Sequence, residues 1–128
     1  MSFAPGILEG KTAVVTGGAT GIGSYIARML GTLGAKVGIV SRKEENLKAA
    51  VEAFKNEDGL DVLWRVGDVR VPDLIKEVVE ELAGEMGGLD ILVCNAAGNF
   101  ICPTEELSAN GWRTVIDIDL NGTFNCCQ

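Results

Sequence analysis

Three glycines mark the first place in this sequence where chemistry is expected. Gly17, Gly21 and Gly23 stand in TGGATGIG, between the β-branched run TAVVT and an apolar pattern with helical spacing. A side chain at such positions would block a tight turn, the approach of a pyrophosphate, or close helix–strand packing. A helix N-terminus that follows offers free N–H groups to phosphate. The segment predicts a dinucleotide-binding turn, with a purely structural turn as the alternative.

Positive charge stands at the end of the second apolar run. Ser41 and Arg42 occupy the place where an acid would bind the ribose 2′-hydroxyl of NAD, and Lys43 follows them. Because cationic groups suit a 2′-phosphate, the sequence predicts NADP(H) as the cofactor. The alternative is that Arg42 and Lys43 are simply solvated residues in the first turn of a helix.

Two aspartates lie two positions apart in the helix-like run GWRTVIDIDL. Residues two apart on a helix do not share a face. Asp117 is predicted to face water and to pair with Arg113, four residues earlier. Asp119 is predicted to lie in an apolar stripe with Trp112, where a carboxylate is costly unless it is hydrogen-bonded or protonated. Asp119 is therefore a catalytic candidate, and a structural hydrogen bond to nearby backbone is the alternative.

Composition argues against several other functions. The 128 residues contain no histidine, which removes histidine-based triads and histidine-ligated metal sites. The four cysteines lack CxxC spacing and predict free thiols rather than zinc or disulfides. A net charge of −7 disfavours nucleic-acid binding, and no run approaches the ~20 apolar residues of a membrane span. The first ten residues lack a signal-peptide pattern, so we expect a cytoplasmic protein without metal, nucleic-acid or membrane partners.

The chain alternates between short apolar runs and amphipathic patterns, which is the scaffold these groups need. The predicted strands are 12–16, 36–41, 61–69 and 89–95. A helix is predicted after each strand, the last one running from about 104 or 108 to the end. This order predicts the α/β class: a Rossmann-type doubly wound parallel sheet of about four strands in three αβα layers, forming one NADP-binding domain over residues 1–128.

Local signals place the starts and faces of the predicted helices. In the first helix, Ile22 and Met29 belong to a set of apolar residues at helical spacing that is predicted to face the sheet. Ser41 and Glu44 have the spacing of a capping box, which would open the second helix. Pro72 suits the first turn of the third helix, where its missing N–H costs nothing.

With GDV at 67–69 and NAAG at 95–98 beside the glycine turn, the chain resembles the short-chain dehydrogenase/reductase family over essentially its whole length. The resemblance implies that the GDV segment contacts the adenine and that the NAAG segment supports the sheet and lines the cofactor. The full set of expected cofactor-binding residues is Thr16, Gly17, Ala19, Thr20, Gly21, Ile22, Gly23, Ser41, Arg42, Asp68, Val69, Asn95, Ala96, Ala97 and Gly98.

Within that family, NAAGNF and DIDLNGTFN resemble most the peroxisomal-type 2,4-dienoyl-CoA reductases and their bacterial relatives, which use NADPH. The resemblance implies that Asp119, where most of the family has asparagine, protonates the reduced dienoyl chain or orients the water that does so. Asn99, Phe100 and Ile101 follow the fourth strand, and ligands of open α/β sheets lie beyond strand ends. They are predicted to wall an acyl-CoA pocket, with loop packing as the alternative.

Two departures from the family pattern stand out. The only tyrosine, Tyr25, lies in the first helix and is not part of a YxxxK pair, and no lysine follows Lys76. The chain thus resembles the N-terminal half of such an enzyme. The resemblance also implies a homo-oligomer, a tetramer, and a peroxisomal location if the source is eukaryotic. The alternatives are a 3-oxoacyl-thioester or other carbonyl reductase, and a fragment that binds NADP(H) without turnover.

Overall fold

The computed structural model describes residues 3–128; Met1 and Ser2, part of the N-terminal segment considered above, lie outside the described residues. The strands are β1 (Thr12–Thr16), β2 (Lys36–Ser41), β3 (Leu63–Val66) and β4 (Ile91–Cys94). The α-helices are α1 (Gly21–Thr32), α2 (Glu44–Asp58), α3 (Pro72–Met86), α4 (Ala109–Ile116) and α5 (Gly122–Cys127). In this described part, no helix has both the length and the apolar character that a bilayer crossing needs.

The strands form one parallel sheet in the order β3-β2-β1-β4. Thr16, the last residue of β1, stands in register with Val40 on one side and Cys94 on the other. The chain moves outward from β1 to β3 and then returns to the far side of β1 to form β4. This reversal confirms the Rossmann-type doubly wound fold. It opens a crevice at the carboxyl ends of β1 and β4, where such sheets bind ligands.

Helices cover both faces of the sheet, because successive strand residues point to opposite sides. Val15 of β1 is fully buried in a cluster with Phe54 of α2 and with residues of α1. Its neighbour Val14 is buried in a second cluster with Leu82 of α3 and Cys126 of α5. The two clusters are the two cores of the predicted three-layer αβα arrangement.

The third and fourth strands are shorter than the predicted 61–69 and 89–95. Each of them pairs with one neighbour only in the described sheet. The ladder of β3 ends before Gly67, where a Cβ atom would lie 2.8 Å from Cγ1 of Val40. Asp68 and Val69 therefore fall in the loop that leads to α3 rather than in the strand.

Two local predictions about the first two helices were wrong. Ser41 makes no capping box: the N-cap of α2 is Lys43, whose side chain makes no capping bond, and acidic residues in the first turn stabilise the positive helix end instead. In α1, Ile26 and Leu30 of the predicted apolar set pack against the core, but Ile22 and Met29 are exposed, on the same side as Tyr25. Small residues such as Ala27 contact the sheet there, because they let the helix approach closely.

A π-helical turn, Asp117–Asn121, separates α4 from α5. The positions that pack inward along this helix are Gly111, Ile118, Gly122 and Cys126. Trp112 is 58% exposed, so its predicted place in the core was wrong. Cys126 is buried as predicted, but Gly111, Ile118 and Gly122 each lie one position before a residue that the sequence pattern placed inward, namely Trp112, Asp119 and Thr123. The pattern missed them because glycines, which pack closest here, carry no apolar weight in such patterns.

Substituting Gly122 with alanine should destabilise the fold. A Cβ atom there would lie 2.5 Å from Cγ2 of Val69, and overpacking of this kind costs about 1–3 kcal/mol. Gly84→Ala in α3 is the matched control, because nothing lies within 4 Å of the position its Cβ atom would take. The better helix propensity of alanine should raise the free energy of unfolding of this variant by about 0.5–1 kcal/mol. Urea unfolding measures both free energies. Equal gains in stability would show that the close approach at Gly122 does not matter.

Candidate functional site

A cavity of about 330 Å³ opens at the carboxyl ends of the strands. Its walls come from the glycine turn, the end of β2, and the loops after β3 and β4. The predicted cofactor residues that line it are Gly17, Thr20, Ser41, Arg42, Asp68, Val69, Asn95, Ala96 and Ala97. The other lining residues, which were not predicted to bind, are Val40, Lys43, Asn46, Gly67, Arg70 and Ile118.

The glycine turn shapes one end of this cavity. Gly17 and Gly21 have φ values of 65° and 53°, in the left-handed region that favours glycine. A Cβ atom on Gly23 would lie 2.2 Å from the Gly17 carbonyl oxygen, so no side chain fits there. The hydroxyl of Thr20, the N-cap of α1, makes no capping bond, which leaves N–H groups of the first turn free for an anion.

Thr16 and Asn95 join the ends of β1 and β4. The Thr16 hydroxyl oxygen accepts from the N–H groups of Asn95 and Ala96, both at 3.1 Å. The Asn95 amide donates to the carbonyl oxygens of Thr16 at 3.1 Å and Gly17 at 3.3 Å. Thr16 is buried and does not line the cavity. It joins the two strand ends, and the other predicted cofactor residues that do not line the cavity are Ala19, Gly21, Ile22, Gly23 and Gly98.

Polar and cationic side chains gather where β2 ends. Arg42 and Lys43 are exposed and line the cavity beside the half-buried Ser41. Asn46, in the first turn of α2, faces the same space. An anionic group at this end would meet two cations and an amide donor. Sequence reasoning missed Asn46 because only the start of α2 against the strand end brings it to the cavity.

The Asp68 carboxylate, in the loop after β3, also lines the cavity and is held by Arg70. Arg70 Nε donates to both carboxylate oxygens at 3.0 and 3.1 Å, and Nη2 donates to Oδ2 at 2.6 Å. The Arg70 N–H adds a bond to Oδ1 at 3.0 Å. The side-chain bonds from Arg70 are the main cause that lowers the pKa of Asp68, and the charge of Arg42 adds to the effect. Asp68 is therefore an ionised acceptor.

The two aspartates of the π turn are both exposed. The burial predicted for Asp119 was wrong, because Ile118 rather than Asp119 points inward. Asp119 Oδ1 accepts from the Gly98 N–H at 2.8 Å, which places the carboxylate beside the loop after β4. Asp117 faces water as predicted. Its Oδ1 atom accepts a hydrogen bond from the Asn121 amide at 2.8 Å, and no ion pair with Arg113 is found among the described residues.

The same helical segment contacts the loop after β3. The Asn125 amide donates to the Val69 carbonyl oxygen at 2.8 Å. Together with the bond from Gly98 to Asp119, this ties both cavity loops to one helix. The sequence pointed to neither contact, since 56 residues separate Asn125 from its partner.

The predicted substrate residues lie at the edge of the site. Asn99, Phe100 and Ile101 are exposed, have no regular secondary structure and stand outside the cavity wall. They follow Gly98 directly, so they leave the sheet next to the Asp119 carboxylate.

A family model described as short chain dehydrogenase matches residues 11–128. The chain belongs to the short-chain dehydrogenase family. Its fold, with the glycine turn after β1 and the NAAG segment after β4, is the arrangement that the sequence resemblance implied.

Individual members of the short-chain dehydrogenase family show where the similarity is strong. The chain is 44% identical over 126 residues to a peroxisomal 2,4-dienoyl-CoA reductase of Arabidopsis thaliana, covering 98% of this chain and 42% of that protein. It is 42% identical over 123 residues to the Rattus norvegicus peroxisomal 2,4-dienoyl-CoA reductase, and the match covers 96% of this chain and 42% of that protein. A short chain dehydrogenase structure from Bacillus anthracis superposes with a TM-score of 0.86 at 43% identity, and the match covers 94% of this chain and 50% of that chain. The chain spans half or less of each protein's length.

The cysteines contribute no obvious chemistry to this member of the short-chain dehydrogenase family. All four are free thiols. Burial, followed by the bond to Cys127, raises the pKa of Cys94 to about 12, so this thiol is a poor nucleophile. Among the described residues no group of three or more metal-ligating side chains is present.

Removing the Thr16 hydroxyl, which joins the ends of β1 and β4, should lower the free energy of unfolding. Thr16→Val removes the acceptor of two N–H groups in a partly buried place, which should cost about 1–3 kcal/mol of unfolding free energy. Thr32→Val is the matched control, since that exposed hydroxyl donates only to the Arg28 carbonyl oxygen of its own helix. Similar losses in the two variants would contradict the role given to Thr16.

Proposed function

We propose that residues 1–128 form the NADP(H)-binding domain of an oxidoreductase that reduces 2,4-dienoyl-CoA thioesters. The observation that carries the proposal is one continuous cavity that runs from the helix end at the glycine turn to the cations after β2, with Asp119 beside its β4 loop. The identity to 2,4-dienoyl-CoA reductases over nearly the whole chain supports it.

The residues fit a phosphorylated dinucleotide. The first turn of α1 supplies N–H donors for a pyrophosphate, and the glycines leave room for its close approach. Arg42, Lys43 and Asn46 supply charge and a donor for a 2′-phosphate. Asp68 offers an ionised acceptor to the adenine amino group, and the buried Val69 supports the loop that carries it.

When bound, the cofactor would supply a hydride to the conjugated acyl chain. The proposed role of residues 1–128 in this step is to place a proton source near the carbon that is reduced. Asp119 is exposed and held by a single bond from Gly98, so one carboxylate oxygen is left to donate a proton or to orient a water. Asn99, Phe100 and Ile101 would contact the acyl chain where the loop leaves the sheet.

The alternatives are a 3-oxoacyl-thioester or other carbonyl reductase, and a fragment that binds NADP(H) without turnover. The second alternative rests on the absence of a YxxxK pair and of any lysine after Lys76. Turnover of dienoyl-CoA and of 3-oxoacyl-CoA, measured beside NADPH binding for residues 1–128 and for the full-length protein, separates the three. We also propose a homo-oligomer, in line with the family resemblance, which sedimentation would measure.

Cofactor choice is tested by Arg42→Gln. Loss of one charge-assisted bond to the 2′-phosphate should weaken NADPH binding by about 10–100-fold and leave NADH binding nearly unchanged. Lys48→Gln also removes one cation, but Lys48 pairs with Glu44 outside the cavity, so both affinities should persist. Calorimetric titration measures the dissociation constants. An equal loss for NADPH and NADH in Arg42→Gln would count against the 2′-phosphate contact.

The acid is tested by Asp119→Asn. Asparagine still accepts the Gly98 N–H but cannot release a proton, so turnover of a dienoyl-CoA should fall by about 100–10,000-fold while NADPH binding persists. Asp117→Asn is the matched control on the same π turn, and it should keep its turnover because the Asp117 carboxylate bonds to Asn121 of its own helix rather than to the loop after β4. Unchanged turnover in Asp119→Asn would leave Asp119 with a structural role.

A further inference from the structure

Arg70 stands out among the cavity residues that sequence reasoning missed. Its guanidinium forms a fork around the Asp68 carboxylate, and its own N–H adds a further bond to the same group. The turn that brings the two side chains together is closed by a bond from the Val71 N–H to the Asp68 carbonyl oxygen at 3.0 Å. Fork-shaped pairs of this kind fix both the position and the plane of a carboxylate.

The contact between Arg70 and Asp68 does little to cross-link the fold. The two residues are two positions apart, and their side chains are 36% and 20% exposed. Arg65 offers the contrast, because its guanidinium reaches from β3 to Glu81 and Glu85 of α3 and so joins two elements. The fork of Arg70 therefore acts on the cavity, by holding one acceptor group in place.

Counting acceptor sites shows what the held carboxylate can recognise. An ionised carboxylate has about four lone-pair sites. Arg70 donates to Oδ1 through its backbone N–H and Nε, and to Oδ2 through Nε and Nη2. These four contacts come from only three N–H groups, because Nε–H is shared between the two oxygens, so about one acceptor site remains for a donor from a ligand. Because Arg70 also lowers the pKa of Asp68, the carboxyl group cannot itself become a donor near neutral pH.

A fixed, ionised acceptor discriminates between purine bases. The 6-amino group of adenine is a donor, whereas hypoxanthine has an acceptor there, the 6-oxo group, and its nearest donor, N1–H, points in a different direction. A carboxylate that is held in place against the 6-position therefore finds a donor in adenine and an acceptor in hypoxanthine. Resting on the cofactor site proposed above, we propose that Arg70 is a positioning residue that makes Asp68 selective for adenine over hypoxanthine dinucleotides. Arg70 then sets base specificity without touching the reacting atoms.

The test compares the dissociation constants of NADP⁺ and nicotinamide hypoxanthine dinucleotide phosphate, which carry the same phosphate charges. Calorimetry on the full chain should show a preference of about tenfold or more for the adenine form. Arg70→Met should bring the ratio close to one. Arg70→Lys keeps the charge but lacks the fork, so the ratio should fall there as well. Asp68→Ala should lose the preference completely.

Arg65→Met is the matched control, since it removes the same side chain from an ion pair outside the cavity and should keep the wild-type ratio. If Arg70→Met weakened both ligands equally and left the ratio intact, Arg70 would supply charge only and the inference would be wrong. A wild type that binds NADP⁺ without base preference would overturn the inference and leave the cofactor site standing. A wild type that binds neither dinucleotide would overturn both.

Discussion

The hydrogen bonds between Thr16 and Asn95 hold the two strand ends on which the cavity depends. A buried hydroxyl satisfies two N–H groups of the loop after β4, and the Asn95 amide returns two bonds to the turn after β1. The point where the chain reverses direction across the sheet is thereby rigid. The glycine turn and the NAAG loop therefore lie in contact at the edge of the cavity, where this joint fixes their separation.

A single helical segment extends that rigidity to the rest of the site. Asp119 holds Gly98 on the β4 loop, and Asn125 holds Val69 on the β3 loop. Gly122 lets the helix approach the same Val69 side chain. The π turn carries Asp119, the first of these contacts, and wide turns of this kind recur at functional sites. The adenine end of the proposed cofactor site and the proposed acid are thus parts of one packed unit.

Local electrostatics at the cavity differ from the charge of the whole chain. The net charge is −7, yet Arg42, Lys43 and Arg70 all line one cavity around the Asp68 carboxylate. Charges separated by more than about 10 Å are largely screened at moderate salt. The groups at the cavity wall therefore govern what binds there, and an acidic protein retains a site that suits a phosphorylated ligand.

Sequence alone determined the fold class, the strands β1 and β2 and the glycine turn, because apolar periodicity and the steric needs of a tight turn are local properties. It also identified most residues of the cavity wall, since strand ends of a parallel sheet must meet at one edge. Tertiary structure decided the rest. Asp119 is exposed and Ile118 faces inward because glycines set where the last helix packs, and apolar patterns give glycine no weight. The grip of Arg70 on Asp68 depends on a loop turn that no periodicity encodes.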